Sequence, residues 1–270
     1  MKFISKKDLR FPSRKKTSHK GENGRLLVIG GSHEYSGAVA LAGMAAYRTG
    51  CDWVTLAVPE KVGVAVSSIY PDLVVKKYHG DDFCASRAKD ILKFEKSFDA
   101  VLIGNGIGMH AKTFCKKFVA ESTKPLVIDA DAIKSIRLQD VDNAILTPHK
   151  GEFAMLLKNS RLNEDNYRKY LGNNIIILKG PADQIITKDN ILYNKTGNAG
   201  MTKAGTGDVL AGICAGYLAQ GLSPIQAAIN ATFINGFVGD KLLKERKGCY
   251  SFVASDILGD LKKVEKSLIH

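Results

Sequence analysis

Arg25-Leu-Leu-Val-Ile-Gly-Gly-Ser32 decides the fold class. Four consecutive apolar residues, two of them β-branched, do not alternate between core and solvent, so the run reads as a strand buried on both faces. The glycines close it and lead to a small-residue helical pattern over residues 38–49, ended by Gly50 in the glycine position after a helix. The same rhythm repeats outward. Residues 53–58 read as the next strand, and Pro59 suits the first turn of the helix after it, where a missing N–H is no loss. Further strands are expected at 73–75, 100–103, 126–128, 144–146 and 175–178. Segments of helical length flank each strand as far as Leu146, which predicts an α/β fold: a three-layer α/β/α sandwich with a mostly parallel central sheet. Residues 183–194 break the rhythm and read as a hairpin around Lys188-Asp-Asn190. Three helices follow from Thr206, with turns at Gly221-Leu-Ser-Pro224 and Lys247-Gly248. No repeat or linker divides residues 1–270, which read as a single domain.

Composition narrows the classes of function. The chain has 270 residues, 45% of them apolar and 24% charged, the profile of a globular protein with a core of its own. Net charge is +12, but eight Lys or Arg against the single acid Asp8 place +7 of it in residues 1–20. That basic N-terminal stretch reads as a solvated arm, and without zinc-ligand spacing or an aromatic ribonucleoprotein motif no nucleic-acid partner is expected. Cys51, Cys84, Cys115, Cys214 and Cys249 are scattered and never spaced C-x-x-C, which suits reduced thiols and a cytoplasmic location. The sequence contains neither a signal-peptide pattern nor an apolar run long enough to span a membrane, so no membrane partner is expected.

The unusual segments fall where strands end. Gly30-Gly-Ser32, Gly104-Asn-Gly-Ile-Gly108, Asp129-Ala-Asp131 and Thr147-Pro-His-Lys-Gly-Glu152 each follow a predicted strand, and open parallel sheets bind ligands beyond those ends. The strongest segment is Asn198-Ala-Gly-Met-Thr-Lys-Ala-Gly-Thr-Gly-Asp208, which opens directly into a helix. Its glycines let several backbone N–H groups converge, and the helix dipole adds positive charge, so it is an anion site suited to phosphate. Asp208 beside such a site either removes a proton from a hydroxyl attacking a phosphoryl group or stabilises the helix's first turn. His149 and Glu152 share a helical face. Glu152 could hold Mg²⁺ through water, while Asp129 and Asp131 fit either that role or helix capping. Lys179-Gly180 is a phosphate contact or an ordinary turn. There is no G-x-x-x-x-G-K-[ST], and 104–108 is spaced G-x-G-x-G, which disfavours a nicotinamide-dependent dehydrogenase.

Taken together, His19-Lys-Gly21, Val28-Ile-Gly-Gly-Ser32, Ser36-Gly-Ala38, Gly104 to Gly108, Asp129-Ala-Asp131, Thr147-Pro-His149, Gly151-Glu152, Lys179-Gly180, Gly200-Met201 and Gly205-Thr-Gly-Asp208 resemble the ADP/ATP-dependent NAD(P)H-hydrate dehydratases, a family of ribokinase-like fold. The match runs in order over residues 14–240. The resemblance implies repair of hydrated NADH or NADPH (NADHX, NADPHX): ADP or ATP phosphorylates the 6-hydroxyl, and phosphate then leaves. It implies Asp208 as the base, with Gly205, Thr206 and Gly207 around the transferring phosphoryl group. Ala38, Gly106, His149 and Asp208 would contact the hydrated dinucleotide. Lys179, Gly180, Pro181, Ala182, Asp183 and Gly207 would contact the adenine nucleotide, with Glu152 near Mg²⁺. It further implies a tetramer, and a separate epimerase as functional partner, since the epimerase domain of some members is not in this sequence.

Three positions depart from the family pattern. Asn105 and Lys150 replace prolines, and Ala204 replaces a glycine, which requires that residue 204 not need a positive φ. Two other readings compete. A ribokinase-like kinase of a vitamin precursor such as hydroxymethylpyrimidine or hydroxyethylthiazole shares the anion loop, but that group resembles this chain less at His149 and at Gly30-Gly31. A non-catalytic nucleotide-binding protein would gain nothing from Asp208 beside a phosphate.

Overall fold

Successive residues of the first long strand enter two different cores: Leu26 and Val28 pack on one side, Leu27 and Ile29 on the other, and all four are fully buried. A computed structural model, which describes residues 1–269, shows how the rest of the chain covers both faces. Its strands are β1 (Lys2–Phe3), β2 (Arg25–Ile29), β3 (Trp53–Pro59), β4 (Val74–Tyr78), β5 (Ala100–Ile103), β6 (Leu126–Ile128), β7 (Ala144–Leu146), β8 (Ile175–Leu178), β9 (Asp183–Ile186) and β10 (Ile191–Asn194). Its helices are α1 (Ser36–Arg48), α2 (Glu60–Ile69), α3 (Arg87–Glu95), α4 (Lys112–Glu121), α5 (Ala130–Ile133), α6 (Lys150–Ser160), α7 (Thr206–Ala219), α8 (Pro224–Glu245) and α9 (Ala254–Ile269). Side chains from α1, α2, α7, α8 and α9 fill one core, and those from α3 to α6 fill the other.

The sheet runs β1-β10-β9-β8-β7-β6-β5-β2-β3-β4. Every neighbouring pair is parallel except those made by β9, which is antiparallel to β8 and β10. The three-layer, mostly parallel sandwich expected from the sequence is therefore the fold observed. After β2 the chain winds outward through β3 and β4; with β5 it returns to the other side of β2 and winds the opposite way. The switch point lies between the carboxyl ends of β2 and β5, where such sheets place their ligands.

Two glycines bring α7 to that point. A Cβ on Gly212 would lie 2.2 Å from the Ala42 carbonyl oxygen, and one on Gly216 would lie 2.3 Å from Thr49 Oγ1. Their bare backbone lets α7 pack directly against α1, with its N-terminus over the strand ends.

Some boundaries differ from expectation. Pro59 ends β3 and sits just ahead of α2, at φ −55°, so it precedes the first turn rather than joining it. The fourth strand is 74–78, not 73–75, because Lys76 and Lys77 on this sheet edge extend outward while the backbone pairs with β3. Residues 1–20 are not a free arm: β1 pairs with β10, Ile4 and Leu9 are buried, and Arg14 bridges to Asp52 at 2.6 Å. The basic charge stays exposed while the apolar residues between the lysines dock.

Candidate active site

The turn after β5 starts at Gly104, whose φ is +124° and where a Cβ would lie 1.9 Å from the Asp129 carbonyl oxygen. Glycine alone permits that approach. It brings Asn105 against Asp129 at the end of β6. Asp129 precedes α5 but does not cap it. Its Oδ1 accepts from Thr147 Oγ1 at 2.7 Å and from Lys179 Nζ at 3.2 Å, and its Oδ2 accepts from Asn105 Nδ2 at 2.9 Å. Of the two roles left open for it, capping is thereby removed. Asp131 instead accepts from the Gly108 backbone N–H at 3.2 Å and pairs with Lys134 at 2.8 Å.

The anion loop closes on itself before α7. Thr206 is buried, and its hydroxyl lies 2.6 Å from the Met201 carbonyl and 2.9 Å from that of Lys203, so it ties the turn together. Gly205 takes φ +91° as the residue ahead of the helix. Ala204 is not among the residues of positive φ, so the alanine departure falls beside the strained position and not on it. The Gly207 and Asp208 N–H groups make no backbone hydrogen bond among the described residues, as expected of the first turn of a helix. They are the donors the loop offers an anion.

Lys179 faces this turn from the end of β8. Its ammonium lies 3.2 Å from Asp129 Oδ1 and 3.9 Å from Glu152 Oε2. Burial works against the charge, yet the two carboxylates outweigh it and raise the lysine's pKa. His149 precedes α6, where its Nδ1 accepts from the Gly151 and Glu152 N–H groups at 3.0 and 3.3 Å. Glu152 Oε2 accepts in return from the His149 N–H at 2.9 Å, closing a capping box. Lys150, replacing a proline, occupies the first helical position, which any residue can fill because its N–H has no helical partner.

Asp208 stands on the first turn of α7 with Oδ1 2.7 Å from Asn105 Nδ2. Burial pushes its pKa up to about 6, Asp129 and Glu152 push the same way, and Asn105 and Lys179 pull it down. A carboxylate balanced there accepts a proton efficiently near neutral pH. A cavity of about 730 Å³ connects these groups: Asp129, His149, Lys179, Gly180, Pro181, Asp183 and most of residues 196–208 line it. Asp183 is held by the Gly180 N–H at 3.0 Å, and burial raises its pKa. Ala182 lies outside this lining. Ala38 and Gly106 do as well; they meet each other, and a Cβ on Gly106 would lie 3.0 Å from Ala38 Cβ.

The sequence assigns no site role to Asn105 or Asn235, and for Asp129 it offers cation binding or capping but not the network that joins Asn105, Thr147 and Lys179. Asn235 is buried, its Oδ1 has no partner, and it lines the cavity from α8. The signal for Asp129 was present: an acid closing a buried strand, with a threonine closing the next. Nothing local marks Asn235, which reads as one polar residue in an apolar helix.

Among the described residues no group of three His, Cys, Asp or Glu could hold a metal directly, and no helix is long and apolar enough to cross a membrane. A family profile described as NAD(P)H-hydrate dehydratase matches residues 26–262. The chain is 40% identical to a bifunctional NAD(P)H-hydrate repair enzyme of Methanothermobacter thermautotrophicus, over 95% of this chain and 52% of the relative. It is 34% identical to the ADP-dependent (S)-NAD(P)H-hydrate dehydratase of Cenarchaeum symbiosum, over 88% of each. Thus it spans about half the length of the first of these relatives. Among solved structures, the ADP/ATP-dependent NAD(P)H-hydrate dehydratase of Bacillus subtilis, co-crystallised with ATP/Mg²⁺, superposes with a TM-score of 0.79 at 25% identity, covering 99% of this chain and 98% of that one. The ribokinase-like fold is thus the one observed. With its glycine-rich turn, its helix-borne aspartate and the profile running through both, this chain belongs to the NAD(P)H-hydrate dehydratase family.

Proposed function

We propose that this chain returns hydrated NADH or NADPH to the reduced dinucleotide at the expense of ADP or ATP. The observation that carries the reading is Asp208, a half-buried carboxylate set beside the free N–H groups of α7 and held by Asn105. Phosphate bound at those N–H groups would leave Asp208 beside the oxygen that attacks it. The substrate's 6-hydroxyl gives its proton to Asp208 as its oxygen bonds to the terminal phosphorus, and the bridging P–O bond to the nucleotide breaks. The ring nitrogen's electron pair then expels phosphate from C6, and loss of a proton from C5 restores the ring double bond.

Gly205, Thr206 and Gly207 would surround the transferring phosphoryl group, and the Gly207 and Asp208 N–H groups would receive the charge that develops on its oxygens, as fixed donors that need not reorganise. Lys179 would add positive charge on the same side. Gly180, Pro181, Ala182 and Asp183 would border the nucleotide, while Ala38, Gly106 and His149 would border the hydrated dinucleotide. Both Glu152 oxygens already face protein donors, a donor set that suits a hydrated cation reached through water and not direct coordination. Mg²⁺ bound with the nucleotide would neutralise phosphate charge. An epimerase for the opposite epimer is the expected functional partner, and the tetramer implied by the resemblance belongs to the same reading.

The test is to mix the protein with hydrated NADH, Mg²⁺ and either nucleotide and to follow the absorbance of the reduced ring. Nucleotide-dependent recovery, lost in Asp208→Asn, is the result expected. A folded protein that binds nucleotide yet recovers nothing would overturn the reading and direct attention to phosphorylation of vitamin precursors.

A further inference from the structure

Asn105 stands where the family pattern has proline, and its side chain does something proline cannot. It is fully buried in the turn after β5, and its amide nitrogen donates to two carboxylates on different elements: Asp129 Oδ2 at 2.9 Å and Asp208 Oδ1 at 2.7 Å. The amide oxygen is buried with no partner. Burying an unmet acceptor is costly, and reversing the amide would place that oxygen against two carboxylates, so the two acceptors set its orientation. No other side chain donates to Asp208 among the described residues, and Asp208 Oδ2 is left without a protein partner. Asp129, by contrast, has Thr147 and Lys179 on its other oxygen.

We infer that Asn105 is a positioning residue: one amide holds Asp208 Oδ1 and Asp129 Oδ2 together and presents the second Asp208 oxygen to the proton it removes. This rests on the proposed reading of Asp208 as base. The charged groups around Asp208 are Asp129 at the end of β6, Glu152 on α6 and Lys179 at the end of β8. Two of these three are negative, so once the amide is gone Lys179 alone opposes protonation of Asp208, together with burial acting the other way. A residue that merely filled the turn would leave that balance untouched.

The experiment compares wild type with Asn105→Ala and Asn105→Pro in two measurements. The first is kcat/KM for nucleotide-dependent recovery of reduced dinucleotide between pH 5.5 and 9. The second is the titration of the Asp208 carboxyl carbon by NMR in protein carrying ¹³C-labelled aspartate, assigned by its absence in Asp208→Asn. In both variants the acid limb and the carboxyl titration are expected to move up by about one pH unit, the scale of one charge-assisted hydrogen bond. Activity should fall about fivefold at pH 6 and recover most of that loss by pH 8.5. A loss of equal size at every pH, with the Asp208 titration unmoved, would overturn the inference. Should wild type show no turnover, the proposed function fails while the carboxyl titration still decides the role of Asn105. If Asn105→Ala does not fold, Asn105→Pro carries the comparison, since proline belongs to the family pattern at that turn.

Discussion

A Cβ placed on Gly207 would lie 3.3 Å from Lys179 Nζ. The ammonium of β8's end therefore packs against bare backbone on the first turn of α7. A lysine beside a helix N-terminus is repelled by the dipole, and here it is retained by Asp129 and Glu152. A phosphate between lysine and helix would be attracted by both. Gly207→Ala should push the ammonium aside and narrow that gap while favouring the helix itself, because alanine is the better helix former. The expected outcome is about tenfold weaker use of nucleotide with a melting temperature unchanged or raised. Steady-state kinetics and thermal unfolding on the same preparation check it, and a fall in both would make Gly207 a packing residue only.

Removing the base should separate rate from affinity. Asp208→Asn keeps the shape and can still accept from Asn105, but it cannot take a proton. Turnover is expected to fall about 10² to 10⁴-fold, the usual worth of a general base, with nucleotide affinity nearly unchanged. Calorimetric titration with nucleotide beside turnover measures the two separately. Equal losses in both would make Asp208 structural.

The same substitution should stabilise the fold, in a pH-dependent way. Asp208 has a folded pKa of about 6 against an ordinary 3.8, raised chiefly by burial. A raised carboxyl pKa means that the folded chain holds a proton the unfolded chain has lost. Stability therefore falls as pH rises from about 4 to about 6, and stays lower above that. The penalty is on the order of 3 kcal/mol at neutral pH. Asp208→Asn should match wild type near pH 4 and exceed it above pH 6, which chemical denaturation across that range would show. Parallel curves at every pH would contradict the titration assigned to Asp208.

Gly104 tests how the site is assembled. Its φ of +124° strains any other residue, and a Cβ would overlap the Asp129 carbonyl oxygen. Gly104→Ala must shift either the turn or the end of β6, and both carry the carboxylate network. A loss of about 3 kcal/mol or more in urea unfolding is expected, with turnover lost even where the variant stays folded. Retention of wild-type stability would mean that the turn relaxes more freely than its packing suggests.

What could be read from sequence follows the range of the interactions concerned. Leu26 to Ile29 announce a doubly buried strand because the requirement for core on both faces is written in adjacent residues. The glycine-rich turn that opens α7 was legible for the same reason, since its glycines, Asp208 and the helix are contiguous. β1 was not legible: two residues among lysines become a strand only because β10, nearly 190 residues later, supplies the hydrogen bonds. Lys76 and Lys77 hid the extent of β4, since an edge strand keeps polar side chains in water. Asn105 reads locally as a turn residue and no more. Its partners Asp129 and Asp208 lie 24 and 103 residues away, and only the winding of the sheet about its switch point brings them to one amide.

In the proposed reaction the hydroxyl leaves as phosphate and not as water. Hydrated NADH carrying ¹⁸O at its 6-hydroxyl tests this directly, with the protein, Mg²⁺ and the better nucleotide, followed by mass spectrometry of the phosphate released. Attack of that oxygen on phosphorus, assisted by Asp208, predicts one ¹⁸O in each inorganic phosphate formed and none in water. Label released into water, with unlabelled phosphate, would show that nucleotide hydrolysis and dehydration proceed without the phosphorylated intermediate and would contradict the role given to Asp208.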